Sequence, residues 1–260
     1  MDEDFQPIVA LPADKKTIID RFVQYVKGRK VDVALANLNH DGKDGHWLET
    51  AMGLAHNASN SPDILGYEMK NGTSLKTSFG DWSADYYLYK NPKAGITRSE
   101  FLQMFGKPNL KKGGRYSWSG EPCPKIGPFN SFGQKLHIDA NNNVYAVYRH
   151  SEDKRPMKSS IVPVRFQSES LLLARWSAGL LKHRVESKFN NKGWFKCEKD
   201  TNGVYVSIAF GEPITFEKWI QCVKDGDVFF DSGMYDGNIR PYSQWRASNK
   251  FWDKLVTSRF

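Results

Sequence analysis

Three residues in one short stretch have the types and spacing to do chemistry. Asp63, Glu68 and Lys70 form an Asp-x4-Glu-x-Lys pattern within SPDILGYEMKNG. In an extended segment, residues two apart share a face. Glu68 and Lys70 therefore point together, and Tyr67 and Met69 point the other way. Two carboxylates meeting at such a strand offer hard oxygen ligands of the kind Mg2+ prefers, and the main-chain carbonyl of Met69 adds a third protein ligand. A lysine beside them can orient or deprotonate an attacking water and stabilise charge developing on a phosphate. A metal there polarises the phosphoryl oxygen and lowers the pKa of its water. These groups suffice for phosphodiester hydrolysis. An exposed strand carrying a plain Glu–Lys pair has the same spacing and is the commoner origin of it, so the three residues alone leave both readings open.

The elements that must position them follow from periodicity. Residues 14–28 carry Ile18, Ile19, Phe22, Val23 and Val26 at helical spacing, and 46–56 reads as a short helix. Residues 64–70 and 74–79 read as two strands joined at Asn71-Gly72, a dipeptide that favours a tight hairpin turn. Such a hairpin would set Lys76 on the face of Lys70, where it either touches a phosphate or is an ordinary solvated lysine. Thr97 and Glu100 have capping-box spacing at the head of a helix that stops at Gly106. Residues 134–150 alternate on either side of an Asn-rich turn, a second hairpin. Residues 169–188 form the longest helix candidate, 204–210 a strand, 215–226 a helix, 227–231 a strand and 249–256 a final helix. Helices and strands mixed in this way predict an α/β (mixed α+β) protein whose mixed β-sheet is flanked by helices.

The bulk properties narrow the partners. A net charge of +8 is a footprint for a polyanion, because neutralising phosphates releases condensed counterions. Residues 107–118 place Lys111, Lys112 and Arg115 beside Gly-Gly, Tyr116 and Trp118, which suits a basic loop contacting a nucleic-acid backbone and equally a plain surface loop. No apolar run reaches the ~18–20 residues that cross a bilayer, and the acidic start MDEDFQPIVA is not a signal peptide. Three scattered cysteines with no CxxC form neither a disulfide framework nor a structural zinc site. These features predict a cytoplasmic protein with no membrane association. Trp176, Trp194, Trp219, Trp245 and Trp252 are expected in the core.

PDILGYEMKN resembles the motif of the PD-(D/E)xK nucleases. Its short spacing is similar to that of the MutH-like branch, closest to the MvaI/BcnI group of monomeric type II restriction endonucleases. Further stretches match in the same order. DGHWLETAMGLAHNASNSPDI is similar to the helix before the motif, where a Gly-x-x-x-Glu, here Gly45 and Glu49, sets another carboxylate near the metal. GTSLKTSF resembles the strand after the motif, and TRSEFLQMFGKPN the middle helix. TFEKWIQCVKDGDVFFDSGMYDGNIRPYSQWRASNKFWDKL resembles the C-terminal helix, Asp-Gly turn, strand, loop, strand and last helix.

The resemblance implies a restriction-endonuclease-like core and two lobes that form a cleft around duplex DNA. The expected division is a catalytic lobe over 1–165 and a recognition lobe over 166–260, with the lobes free to interleave. It implies Asp63, Glu68, Met69 and Glu49 at Mg2+ and Lys70 as the catalytic lysine. Base reading falls to MYDGNIRPYSQWRAS, with Asp236, Arg240, Tyr242, Gln244 and Arg246 as candidates, since Arg pairs bidentately with guanine and Gln with adenine. Several group members carry His-Asp in this loop, where this chain has Tyr235-Asp236. The implied function is sequence-specific, Mg2+-dependent cleavage of double-stranded DNA at a short site by a monomer that cuts the strands in turn, with a cognate methyltransferase as genetic partner. A MutH-type mismatch-repair nicking enzyme shares the chemistry. A basic DNA-binding protein without catalysis shares the charge, but has no need of Glu49, Asp63, Glu68 and Lys70 together.

Overall fold

The computed structural model describes residues 11–31, 43–54, 60–71 and 75–260. The helices are α1 (Ala13–Tyr25), α2 (Lys43–Ala51), α3 (Arg98–Phe105), α4 (Lys158–Ile161), α5 (Ala178–Phe189), α6 (Phe216–Lys224) and α7 (Asn249–Lys254). The first seven strands are β1 (Glu68–Lys70), β2 (Lys76–Asp81), β3 (Tyr86–Tyr87), β4 (Lys107–Asn109), β5 (Arg115–Trp118), β6 (Phe132–Ile138) and β7 (Val144–Asp153). The others are β8 (Leu171–Trp176), β9 (Trp194–Lys199), β10 (Tyr205–Gly211), β11 (Val228–Asp231), β12 (Met234–Tyr235), β13 (Gln244–Ser248) and β14 (Val256–Arg259). Among the described residues, no helix is long and apolar enough to cross a membrane.

Two compact units share the chain, and neither is continuous. The first takes residues 1–72, 191–213 and 255–260, and the second takes 73–190 and 214–254.

In the first unit the sheet order is β1-β9-β10-β14, with β1 parallel to β9 and the other pairs antiparallel. One face carries Met69, Phe195, Cys197 and Phe210, packed against Ile18 and Phe22 of α1 with Val26 just past its end, and Leu48 of α2 with Met52 just past its end. Positions 18, 22 and 26 are one helical turn apart, which makes α1 one-sided. Each of these side chains is almost fully buried. Burial of that kind contributes about 1.5–3 kcal/mol per large apolar side chain. The opposite face of β1 carries Glu68 and Lys70, so the two-residue alternation read from the sequence holds.

The Asn71-Gly72 hairpin does not form. Although Gly72 itself lies outside the described residues, the strands on either side have other partners: β1 pairs with β9, while β2 pairs with β13. Parallel neighbours cannot be joined by a tight turn and need a long crossover. Here residues 73–190 of the second unit fill that crossover. Lys76 consequently belongs to a different sheet from Lys70.

The second unit contains sheets β11-β13-β2, β12-β5-β4 and β3-β8-β7-β6. Its core is built on tryptophan: Trp176, Trp219, Trp245 and Trp252 are buried, with Trp176 and Trp245 ring centroids 5.6 Å apart. Trp194 is buried in the first unit, so all five named tryptophans are core residues. The capping box at Thr97 and Glu100 and the 134–150 hairpin form as expected. The expected helix over 169–188 is instead strand β8 followed by α5, which Ser177 caps by accepting from the Leu180 N–H at 3.4 Å. An apolar run such as Leu171–Ala174 fits either element. Pairing with β3 and β7 on its two sides decides for the strand.

Candidate active site

The turn before β1 explains how the motif's spacing works. Ile64 and Tyr67 exchange both main-chain hydrogen bonds, at 3.0 and 2.8 Å, around Leu65 and Gly66. Both loop residues have positive φ, 50° and 85°, the signature of a type I′ turn. Glycine takes that conformation freely, whereas Leu65 is held in it against its side chain. The turn folds Asp63 back along the strand, where its Oδ2 accepts from the Met69 N–H at 2.8 Å. The strand over 64–70 expected from the sequence is thus a tight turn plus the three residues of β1.

Among the described residues, β1 stands at the end of its sheet. In extended backbone the N–H and C=O of one residue point to the same side. The Met69 carbonyl therefore projects away from β9, toward the side on which Asp63 lies. Glu68 and Lys70 point out of the sheet face together, with Lys70 Nζ 2.7 Å from Glu68 Oε1 and both side chains buried. On β9, Lys196 stands in register with Lys70, and it donates to Glu198 at 3.0 Å. Burial pushes the Glu198 carboxyl up, but Lys196, Ser207 and Arg259 together hold it below its usual range.

Glu49 comes from α2, whose last turn has a defined stop. The Leu54 N–H donates to the Glu49 carbonyl and the Gly53 N–H to the Thr50 carbonyl, at 2.8 and 2.9 Å. With Gly53 at φ 78°, this is a Schellman motif. The predicted helix over 46–56 therefore ends at Ala51, and residues 55 and 56 lie outside the described residues. The Glu49 side chain is half-exposed and 3.6 Å from His46 Nδ1. Glu49 and Asp63 line one cavity of about 340 Å3, together with Arg21, Gly53 and Leu65.

The donors fit a hard divalent cation. All are oxygens: the carboxylates of Asp63, Glu68 and Glu49 and the carbonyl of Met69. Among the described residues, no group of three or more His, Cys, Asp or Glu side chains is placed to hold a metal ion by itself. Mg2+ does not require one, since it is commonly held through one or two carboxylates with water and substrate phosphate completing its shell.

The DNA-contact candidates all lie in the second unit. Residues 107–118, expected as a loop, form the β4–β5 hairpin, with Lys111 and Lys112 exposed at its tip. β12 pairs with β5, and the Asp236 N–H donates to the Tyr116 carbonyl at 2.9 Å. Arg115 lies 3.4 Å from the centroid of the Tyr235 ring. One sheet thus joins the basic hairpin to the Asp236 loop, two stretches far apart in sequence. Asp236 also accepts from the Ser99 hydroxyl at 3.2 Å.

A second group forms on the β11-β13-β2 sheet. Gln244 and Arg246 alternate with buried Trp245 and Ala247. Arg246 donates to Gln244 Oε1 at 2.8 Å, and lies 3.4 Å from Asp231. Lys76 makes an ion pair with the same Asp231 carboxylate. Arg240 pairs with Asp81 at 2.8 Å and covers the Tyr242 ring. Burial pushes the Asp81 carboxyl up, against the pull of the Ser243 N–H and Arg240. Sequence reasoning missed Asp81, Asp231 and Arg21. The two aspartates end their strands like ordinary turn residues, and Arg21 lies on the polar side of a helix.

Three relationships with known proteins bear on this arrangement. Residues 26–260 match the model of the LlaMI restriction endonuclease family. The chain is 48% identical over 264 residues to the type II restriction enzyme ScrFI of Lactococcus lactis subsp. cremoris, covering 94% of this chain and 97% of that one. Its structure resembles that of restriction endonuclease MvaI in complex with a cognate DNA substrate, with a TM-score of 0.60 over 96% of this chain and 99% of that one. At 12% identity the last likeness speaks for the fold alone. The class defined is that of type II restriction endonucleases, site-specific deoxyribonucleases with a mixed α/β fold, as the motif implied. Within it, the chain belongs to the LlaMI restriction endonuclease family.

Proposed function

We propose that this restriction endonuclease hydrolyses double-stranded DNA at a short specific site using Mg2+ held at Asp63, Glu68, Glu49 and the Met69 carbonyl, with Lys70 as the catalytic lysine. The carrying observation is the type I′ turn at Leu65-Gly66, which returns Asp63 to Met69 beside the buried Glu68–Lys70 pair. The bound cation supplies charge stabilisation at the phosphate and a more acidic water. Lys70 is held by Glu68 and is a donor for the attacking water or a phosphate oxygen. Burial strengthens each of these interactions. Lys76, Lys111, Lys112 and Arg115 engage the DNA backbone, and Asp236, Arg240, Tyr242, Gln244 and Arg246 the bases. The catalytic machinery belongs to the first unit and base reading to the second. The enzyme acts in the cytoplasm as a monomer, beside a methyltransferase that protects the host's own sites.

The test is digestion of sequenced plasmid DNA with and without Mg2+, read by end sequencing. Discrete fragments that require Mg2+ support the reading and reveal the site. A nicked-circle intermediate is expected from a monomer with one active site, and linear product without it excludes sequential cutting. Glu68→Ala should abolish cleavage and retain DNA binding. Cleavage at the normal rate by that variant overturns the assignment.

A further inference from the structure

The cavity shared by Glu49 and Asp63 does not end at Arg21. A second cavity, of about 610 Å3, lies beside it, and Arg21, Met52's neighbour Gly53 and the end of α2 border both. The far wall of the second cavity is Tyr25, Arg29 and Trp47. Three observations bear on what it holds.

The first is charge. Residues 21–31, RFVQYVKGRKV, contain Arg21, Lys27, Arg29 and Lys30 and no acidic residue. Among the described residues, none of the four makes an ion pair, whereas Lys16, five positions before Arg21, is paired with Asp20 at 2.7 Å. Of the four, Arg21 and Arg29 line the cavity, and cations without an ion-pair partner there concentrate positive potential.

The second is positioning. Arg21 Nη1 donates to the Met52 carbonyl at 3.1 Å, a carbonyl left over by the Schellman end of α2. A Cβ at Gly53 would stand 3.0 Å from that nitrogen, so the guanidinium packs closely over the glycine. Arg29 is exposed and makes one long hydrogen bond, 3.4 Å, to the Gln24 carbonyl. A guanidinium has five N–H donors in a rigid fork. Each arginine thus spends one donor on the backbone and keeps the rest for a ligand.

The third is rigidity beneath the site. The chain around Arg29 is tied to β10, with the Gly28 N–H donating to the Tyr205 carbonyl at 2.8 Å and the Tyr205 N–H to the Arg29 carbonyl at 3.0 Å. Trp47 stacks on Tyr205 with ring centroids 5.6 Å apart and planes at 6°. One of its faces is therefore already covered, and the wall is a support more than a stacking platform for a base.

We propose that this second cavity is a backbone-phosphate subsite for the DNA strand being cut, in which Arg29 and Arg21 bind phosphates flanking the one hydrolysed beside Glu49 and Asp63. Arginine forks match phosphate geometry, and the two cavities share Arg21 and Gly53. A phosphate clamp of this kind contributes affinity without reading sequence. The inference rests on the active-site reading above, because it takes the Glu49–Asp63 cavity as the place of cleavage.

Binding to duplexes with and without the cleavage site, measured by fluorescence anisotropy over a salt series with Ca2+ replacing Mg2+, tests it. Arg29→Ala should lower the slope of log K against log salt by about 0.9, the value for one phosphate contact. Affinity should fall about tenfold, by the same factor on both duplexes, as loss of one charge-assisted hydrogen bond implies. Arg29→Lys should recover the slope, and Lys16→Ala, whose charge is already paired, should leave it unchanged. Arg29→Ala and Arg21→Lys/Arg29→Ala binding both duplexes with the wild-type slope and affinity would overturn the proposal. A loss confined to the site-bearing duplex would also overturn it, by making Arg29 a base reader. Failure of the underlying reading shows separately, as undiminished cleavage by Glu68→Ala.

Discussion

Removing the Lys70 ammonium is the most informative single perturbation, because it separates what the site costs from what it does. Lys70→Met takes away the cation 2.7 Å from Glu68 Oε1, at a carboxylate whose side chain is only 3% exposed. Coulomb attraction at that distance is about 6 kcal/mol at an effective dielectric near 20. Desolvation of two buried charges cancels part of it, so the measurable penalty for breaking the pair is about 3–5 kcal/mol. For a protein of this size each kcal/mol moves Tm by roughly 2–4 °C. A fall of roughly 6–20 °C follows. Glu68→Gln/Lys70→Met should recover most of it, since no buried charge is left unpaired, yet all these variants should be inactive. Thermal melts followed by circular dichroism, with plasmid cleavage alongside, complete the cycle. A single variant that melts with the wild type, or a double variant no better than the single, would refute the claim that the pair is a buried, mutually dependent unit.

Arg246→Ala should weaken binding to the cognate site by about 1–3 kcal/mol and relax one position of it, seen by sequencing the fragments released from a random-site library. Asp153 gives a pH prediction. Burial pushes its carboxyl up, but Arg155, donating at 2.7 and 3.0 Å, outweighs burial and holds it below the usual range. Its stabilisation is present above the unfolded pKa, about 3.9, and is lost as pH falls through the lower folded value. Asp153→Asn should therefore flatten the acid limb of urea midpoints measured from pH 3 to 7, and an unchanged limb would remove Asp153 from the account. Leu65→Asn should stabilise the protein by about 1 kcal/mol in urea melts, since asparagine tolerates the left-handed conformation that Leu65 occupies.

The sequence by itself determined the local features. The two faces of β1, the one-sided helix α1 and the capping box at Thr97 follow from residue types at fixed offsets, whereas α2 stops at Ala51, short of the helix expected over 46–56. So did the chemistry on offer, because Asp63, Glu68 and Lys70 carry their functional groups wherever the chain goes. Only tertiary structure decided which strands pair. Asn71-Gly72 is a sound hairpin signal locally, but β1 needs a parallel partner, and β9 lies more than a hundred residues away. Leu171–Ala174 is apolar enough for a helix or a strand, and its neighbours β3 and β7 chose the strand. The same holds for the side chains that hold the arginines. Asp231 and Asp81 meet Arg246 and Arg240 only because β11, β13 and β2 lie side by side. Arg21 reaches the cavity of Asp63 because α1 and α2 pack on one sheet. Hydrogen-bond pairing and burial between distant segments are properties of the whole fold, and no short window of residues contains them.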